Sequence, residues 1–149
     1  MGKLLMMILL PSVLFLAACQ DSPPPEPGGS LSIPNKDFLI NRKFRLKAVN
    51  GLDYSGETVP TLEFGDDFMV SGRVCNNFRG PGELENGRLT VRAPVATQMA
   101  CLAGGLDQLE NSLFKMLENG ASLSVDGSRL YLRQGDSTLT FEAEPDRAE

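Results

Sequence analysis

No histidine occurs anywhere in the chain, and no tryptophan. Without histidine there is no Ser-His-Asp or Cys-His catalysis, no imidazole acid–base work and no His-containing zinc site. Cysteine is scarce: Cys19, Cys75 and Cys101 are the only three, too few for a four-thiolate metal site. Positive charge is short as well, with 14 Lys and Arg against 19 Asp and Glu and a net charge of −5. Nucleic acid needs clustered cations, so no nucleic-acid partner is expected. A phosphate-cradling loop is missing: Gly80-Pro81-Gly82 has no G-x-G-x-x-G spacing and no Lys-Ser/Thr after it. The acid pairs Asp66-Asp67 and Glu83 with Glu85 lie in or beside expected turns, where acids ordinarily serve solubility. No EF-hand spacing follows Asp66-Asp67. These absences lead us to expect no enzyme, no catalytic residues, no metal and no cofactor.

Long apolar runs are limited to one, Leu4 to Ala18, and Pro11 interrupts it. A membrane-spanning helix needs about twenty apolar residues. Met1-Gly2-Lys3, a short apolar core and small residues before Cys19 instead describe a secretory leader over 1–18. Leu16-Ala17-Ala18-Cys19 resembles the lipobox of bacterial lipoproteins. That resemblance implies cleavage before Cys19 and diacylglycerol on its thiol. Gln20 is not the Asp that retains such proteins at the inner membrane. The expected address is therefore the inner leaflet of an outer membrane, facing the periplasm. The alternative is an ordinary secreted protein, but that would leave an odd thiol in an oxidising compartment. With Cys19 assigned to lipid, Cys75 and Cys101 remain as a pair.

Residues 20–30 contain no side chain able to join a core; Pro23-Pro24-Pro25 and Gly28-Gly29 make residues 19–36 read as a lipidated cysteine and tether. From Asp37 the pattern becomes globular. Phe44, Leu46 and Ala48 alternate with Lys43, Arg45 and Lys47, a half-buried strand with a basic outer stripe. Strands are expected around 61–64, 68–75, 78–84 and 88–91, with turns at Gly65-Asp66-Asp67 and Asn86-Gly87. Pro81 suggests a bulge or an edge position. Leu106, Leu109, Leu113 and Leu117 recur at helical spacing, so a helix is expected over about 106–119. Asp107 followed by Glu110 reads as its capping box and Asn119-Gly120 as its stop. A second meander follows at 121–125, 130–133 and 138–141, and residues 145–149 read as a frayed tail. Meander, helix, meander is an α+β order, mainly antiparallel β. The expected architecture is a curved sheet or partly open barrel with the helix over one face.

Cys75 and Cys101 read as a structural disulfide; the redox alternative favours C-x-x-C spacing beside a helix start. Closing a loop of this size stabilises a fold by roughly 3–4 kcal/mol in the chain-entropy account. The stretch Asn76-Asn77-Phe78-Arg79 beside Cys75 reads in two ways. Asn76, Asn77 and Arg79 are candidates for an interaction surface. Alternatively, Asn76 satisfies backbone groups by the disulfide and Phe78 is core.

Phe44-Arg45-Leu46-x3-Asn50-Gly51, Leu62-x-Phe64, Val70-Ser71-Gly72-x2-Cys75-Asn76-x-Phe78-x-Gly80, Ala96-Thr97-x-Met99-x-Cys101, Glu110-x3-Phe114 and Leu130-x-Leu132 resemble the META domain. More closely they resemble the heat-inducible, HslJ-type lipoproteins of Gram-negative bacteria. The resemblance covers about residues 38–142, within a domain expected over 37–144. Gly80-Pro81-Gly82 departs from it, since many META domains place an aromatic after the first glycine. The resemblance implies a compact antiparallel β fold with one helix and an envelope protein tied to stress. It implies no established enzymatic activity or cofactor and offers no catalytic residues to carry over. The expected role is non-enzymatic binding in support of envelope integrity, with the membrane met through lipid on Cys19 and an unidentified periplasmic protein as partner. The alternative is a pilot-like carrier holding a lipid chain or apolar peptide inside the curved sheet.

Overall fold

The computed structural model describes residues 30–102 and 104–145. Cys19, the leader, tether residues 20–29 and tail residues 146–149 lie outside the described residues. Packing begins earlier than composition suggests. Ser32 exchanges backbone hydrogen bonds of 2.9 and 2.8 Å with Val125. Asn35 then caps the short helix α1 (Lys36–Leu39), its side-chain oxygen accepting from the Phe38 N–H at 2.8 Å. A four-residue helix cannot hold itself; the fully buried Leu39 anchors it.

The remaining elements are β1 (Arg42–Val49), β2 (Leu52–Asp53), β3 (Thr61–Phe64), β4 (Met69–Arg73), β5 (Asn77–Glu85), β6 (Arg88–Val91), β7 (Val95–Ala96), α2 (Leu106–Asn119), β8 (Ala121–Asp126), β9 (Arg129–Gln134) and β10 (Ser137–Ala143). Strand neighbours run β1-β3-β4-β5-β6-β8-β9-β10, every pair antiparallel, and β10 returns to β1 from Phe44 opposite Ala143 to Val49 opposite Leu139. Eight strands thus close a barrel, with β2 attached to β1 and β7 to β5. The expected antiparallel α+β architecture with one main helix is what forms. Closure also removes the open edges a flat sheet would carry. The weak joint is β6 with β8, where only Arg88–Ser122 and Leu89–Ala121 pair. There α2 packs on β6 and β9, covering the side that strand pairing leaves short.

Alternation decides what faces inward. Phe44 meets Phe64 edge-to-face at 5.9 Å, and Leu62, Leu130, Leu132 and Phe141 are fully buried with them. Each such side chain contributes roughly 1.5–3 kcal/mol by leaving water. The interior that a carrier would offer to a lipid chain is occupied by the protein's own side chains. A bulge between Leu46 and Ala48 breaks the alternation of β1, so Ala48 is only half-buried rather than sharing the Phe44 face.

Two local readings are corrected. Pro81 is neither in a bulge nor at an edge: β5 runs unbroken between β4 and β6, with Pro81 opposite Met69. In an antiparallel ladder one residue's N–H and C=O point to the same neighbour. The Pro81 carbonyl accepts from the Arg92 N–H at 3.0 Å, so its nitrogen faces the interruption between β6 and β7, where no donor is required. Helix α2 has no capping box either. Its N-cap is Gly105 in the left-handed region at φ 84°, without a side-chain cap, and Glu110 is directed elsewhere.

Candidate functional site

Two structures lie back to back around the end of β4 and the start of β5. The first is a buried latch. Cys75 and Cys101 are disulfide-bonded, with Cα atoms 5.7 Å apart, and tie the β4–β5 connection to the segment that enters α2. Asn76 beside the bond is buried. Its oxygen accepts from the Met99 N–H at 2.7 Å and the Thr97 hydroxyl at 3.0 Å, while its amide nitrogen donates to Glu110 Oε1 at 2.9 Å. Glu110 Oε2 accepts from the backbone N–H groups of Asn76 at 2.7 Å and Cys75 at 3.1 Å. A buried carboxylate is tolerated only when its lone pairs are met by donors, and here Oε1 has one and Oε2 has two. Helix, connection and incoming segment therefore share one polar node.

The second structure is a groove of about 640 Å³ on the outer face of β1, β3, β4, β5 and β7. Its floor follows from register. One row crosses the sheet as Lys43, Glu63, Ser71, Arg79 and Val95, each directly opposite the next. The adjacent row runs Arg45, Thr61, Arg73 and Asn77. Arg45 turns to Glu144 at 3.7 Å, and Lys47 further along β1 pairs with Glu142 at 3.0 Å. Lys43, Arg73 and Arg79 line the groove, and among the described residues none of them forms an ion pair within 4.0 Å. An acidic protein thus carries a concave face that gathers, among the described residues, three uncommitted cations and the single carboxylate of Glu63.

Thr97 joins the two. Its hydroxyl donates inward to Asn76 and accepts from the Asn77 N–H at 3.2 Å, and its own N–H donates to the Asn77 carbonyl at 3.0 Å. The groove wall at Val95–Thr97 is therefore held in place from the latch.

Of the residues singled out in the sequence, Asn77 and Arg79 are exposed on the groove. Asn76 is not on the surface; its side chain is consumed by the latch. Phe78 is 3% exposed and packs edge-to-face on Phe114 at 5.2 Å. Cys19 lies outside the described residues. Lys43, Thr61, Arg73 and Thr97 escaped the sequence reading as groove residues. The outward orientation of Lys43, Thr61 and Arg73 followed from alternation, but their adjacency needed the register of the strand pairs, and Thr97 lies beyond the end of β7.

Among the described residues, no three His, Cys, Asp or Glu side chains gather as metal ligands. No described helix is long and apolar enough to cross a membrane. A smaller cleft lies between Val49, Tyr54 and the start of α2 at Leu106. Burial pushes the Tyr54 phenol above its ordinary value, and its hydroxyl donates to the Thr58 carbonyl at 2.9 Å.

Comparison with known proteins agrees with this fold. The family model described as META domain matches residues 37–146. Heat shock protein HslJ of Escherichia coli (strain K12) is 36% identical over 105 residues, covering 70% of this chain and 75% of the relative. A protein solved by NMR superposes with a TM-score of 0.67 at 34% identity, over 73% of this chain and 94% of the other. A second NMR structure, from Burkholderia xenovorans, superposes with a TM-score of 0.59 over 81% of this chain and 98% of that one. At 21% identity the second likeness speaks to the fold alone.

Proposed function

This chain belongs to the META-domain family, and from that premise we propose that it is a periplasm-facing lipoprotein, held to the bacterial outer membrane by lipid on Cys19, that supports envelope integrity under stress by binding. The carrying observation is the order of parts: Leu16-Ala17-Ala18-Cys19, then a proline-rich tether, then a domain closed by its own disulfide. A structural disulfide suits an oxidising compartment. Two or three acyl chains, at about 0.8 kcal/mol per buried methylene, hold a protein where one would not. The name of the Escherichia coli relative supports the link with stress. Binding rather than catalysis is supported by a chain without histidine and by a side-chain-filled interior beneath a grooved outer face. The partner met by that face is a periplasmic protein.

Radiolabelled palmitate in cells expressing the chain tests the anchor. The wild type is expected to take up label and sediment with outer membranes, and Cys19→Ser to lose both. Label retained on the variant would overturn the assignment.

A further inference from the structure

We propose that the groove over β1, β3, β4, β5 and β7 binds an extended acidic peptide segment of a partner protein, with Lys43, Arg73 and Arg79 receiving its carboxylates. This rests on the binding reading above and deepens it. Three features select the occupant.

The first is spacing. Lys43 and Arg79 stand three strands apart in one row, ~14 Å at the usual strand separation, and the groove from β1 to β7 spans ~19 Å. A single phosphate or carboxylate would engage both only if the two side chains lay down along the row and met over Glu63 and Ser71, so a longer occupant suits the spacing better. About six residues of extended chain, at ~3.3 Å each, cover the distance.

The second is the mixed character of the floor. Glu63 lies between Lys43 and Ser71 in the same row, so an occupant that presents a donor as well as anions fits the floor best. A peptide supplies both, with main-chain N–H groups for Glu63 and acidic side chains for the arginines. Arg73 and Arg79 are exposed and carry forked guanidinium donors that suit carboxylates. Thr61 and Ser71 add hydroxyls able to serve a peptide carbonyl or N–H.

The third is shape and placement. A flat anionic bilayer would rest on the rims of a concave face, away from the floor. The chain also approaches the barrel on β8, where Ser32 pairs with Val125, three strands around the ring from β4. The cations therefore sit on a flank away from the point where Ser32 meets the barrel, available to a protein alongside. Val95, 66% exposed at the end of the row, gives the peptide one apolar contact.

The test uses the full chain in uncharged detergent micelles and a fluorescein-labelled hexaglutamate peptide, read by fluorescence anisotropy. The double variant Arg73→Glu/Arg79→Glu is compared with Lys115→Glu/Arg129→Glu, which makes the same charge change at exposed positions outside the groove. The groove variant is expected to raise the dissociation constant at least about tenfold, and the charge-matched control by no more than about twofold. Circular dichroism melts establish that both variants fold. Equal weakening by the two variants would reduce the effect to net charge and overturn the proposal, as would no binding to the wild type. Phosphatidylglycerol vesicles and inorganic phosphate serve as rival probes. Binding of either that depends on Arg73 and Arg79, without peptide binding, would overturn the peptide in favour of a lipid surface or a small anion. The assay does not require acylation, so loss of the palmitate result and loss of the peptide result are separate failures.

Discussion

Asn76 and Asn77 are adjacent in the chain and have opposite fates. Asn76 turns inward, spends its whole amide on Met99, Thr97 and Glu110, and helps hold a helix to a strand connection. Asn77 turns outward onto a groove where three cations have no carboxylate within ion-pair distance among the described residues. The latch is satisfied from within the molecule; the groove is polar and open, and its cations have no ion-pair partner among the described residues. A polar group with every partner inside the molecule does structural work, whereas uncommitted charges gathered in a concavity are available to something else. One peptide step separates the two: Asn76 ends the bend after β4, and Asn77 opens β5 with its side chain outward.

The comparison breaks if the latch proves dispensable, and the disulfide is the heaviest test. Cys75→Ser or Cys101→Ser is expected to cost ~3–4 kcal/mol, seen as a large fall in melting temperature under oxidising conditions that reductant imposes equally on the wild type. An unchanged melt would remove the disulfide from the latch.

Next come the polar members. Asn76→Ala leaves the Met99 N–H and one Glu110 oxygen without their partner and is expected to cost ~2–3 kcal/mol in urea unfolding. Glu110→Gln should cost nearly as much, because all three groups facing the carboxylate are donors and a glutamine amide turns one end of it into a fourth. A neutral Glu110→Gln would mean that the carboxylate is not what the node requires.

Gly72 sharpens the boundary between the two regions. Its missing side chain makes room for the Thr61 carbonyl and for the Phe78 ring, which a Cβ would meet at 2.9 Å. Gly72→Ala is expected to cost ~1–3 kcal/mol by overpacking and to disturb the groove from beneath. The smallest effect belongs to the groove itself. Asn77→Ala should change stability by no more than ~0.5 kcal/mol, since its exposed side chain holds nothing in the fold. A loss as large as that of Asn76→Ala would erase the distinction.

Much of the fold was legible before the structure. Alternation in β1 gave its inward pair Phe44 and Leu46, Asn86-Gly87 supplied a turn with φ of 50° and 74°, and the leucine period placed α2. Three things were not legible. The tether was expected to reach residue 36, yet Ser32 already pairs with Val125, because a single backbone bridge has no composition signature. Glu110 looked like a helix cap because local spacing suits that role, and only a partner 34 residues earlier in the chain reveals its other use. Asn76 and Arg79 could be placed on one surface in the sequence; burial of the first depends on where Thr97, Met99 and α2 come to rest.

What the sequence determined by itself is everything set by short range: strand and helix periods, turn chemistry, the lack of histidine chemistry, and the two cysteines of the folded part, which pair with each other. Those follow from steric preference, side-chain identity and counting. Closure of the barrel through β10 and β1, and the two rows that bring Lys43, Arg73 and Arg79 into one groove, were decided only by tertiary structure. The physical reason is register. Side chains in a strand have a period of two, so a slip of one residue in any pairing along the row would send Arg79 inward or part it from Lys43. Register is fixed by the packed interior as a whole, and no single stretch of sequence contains it.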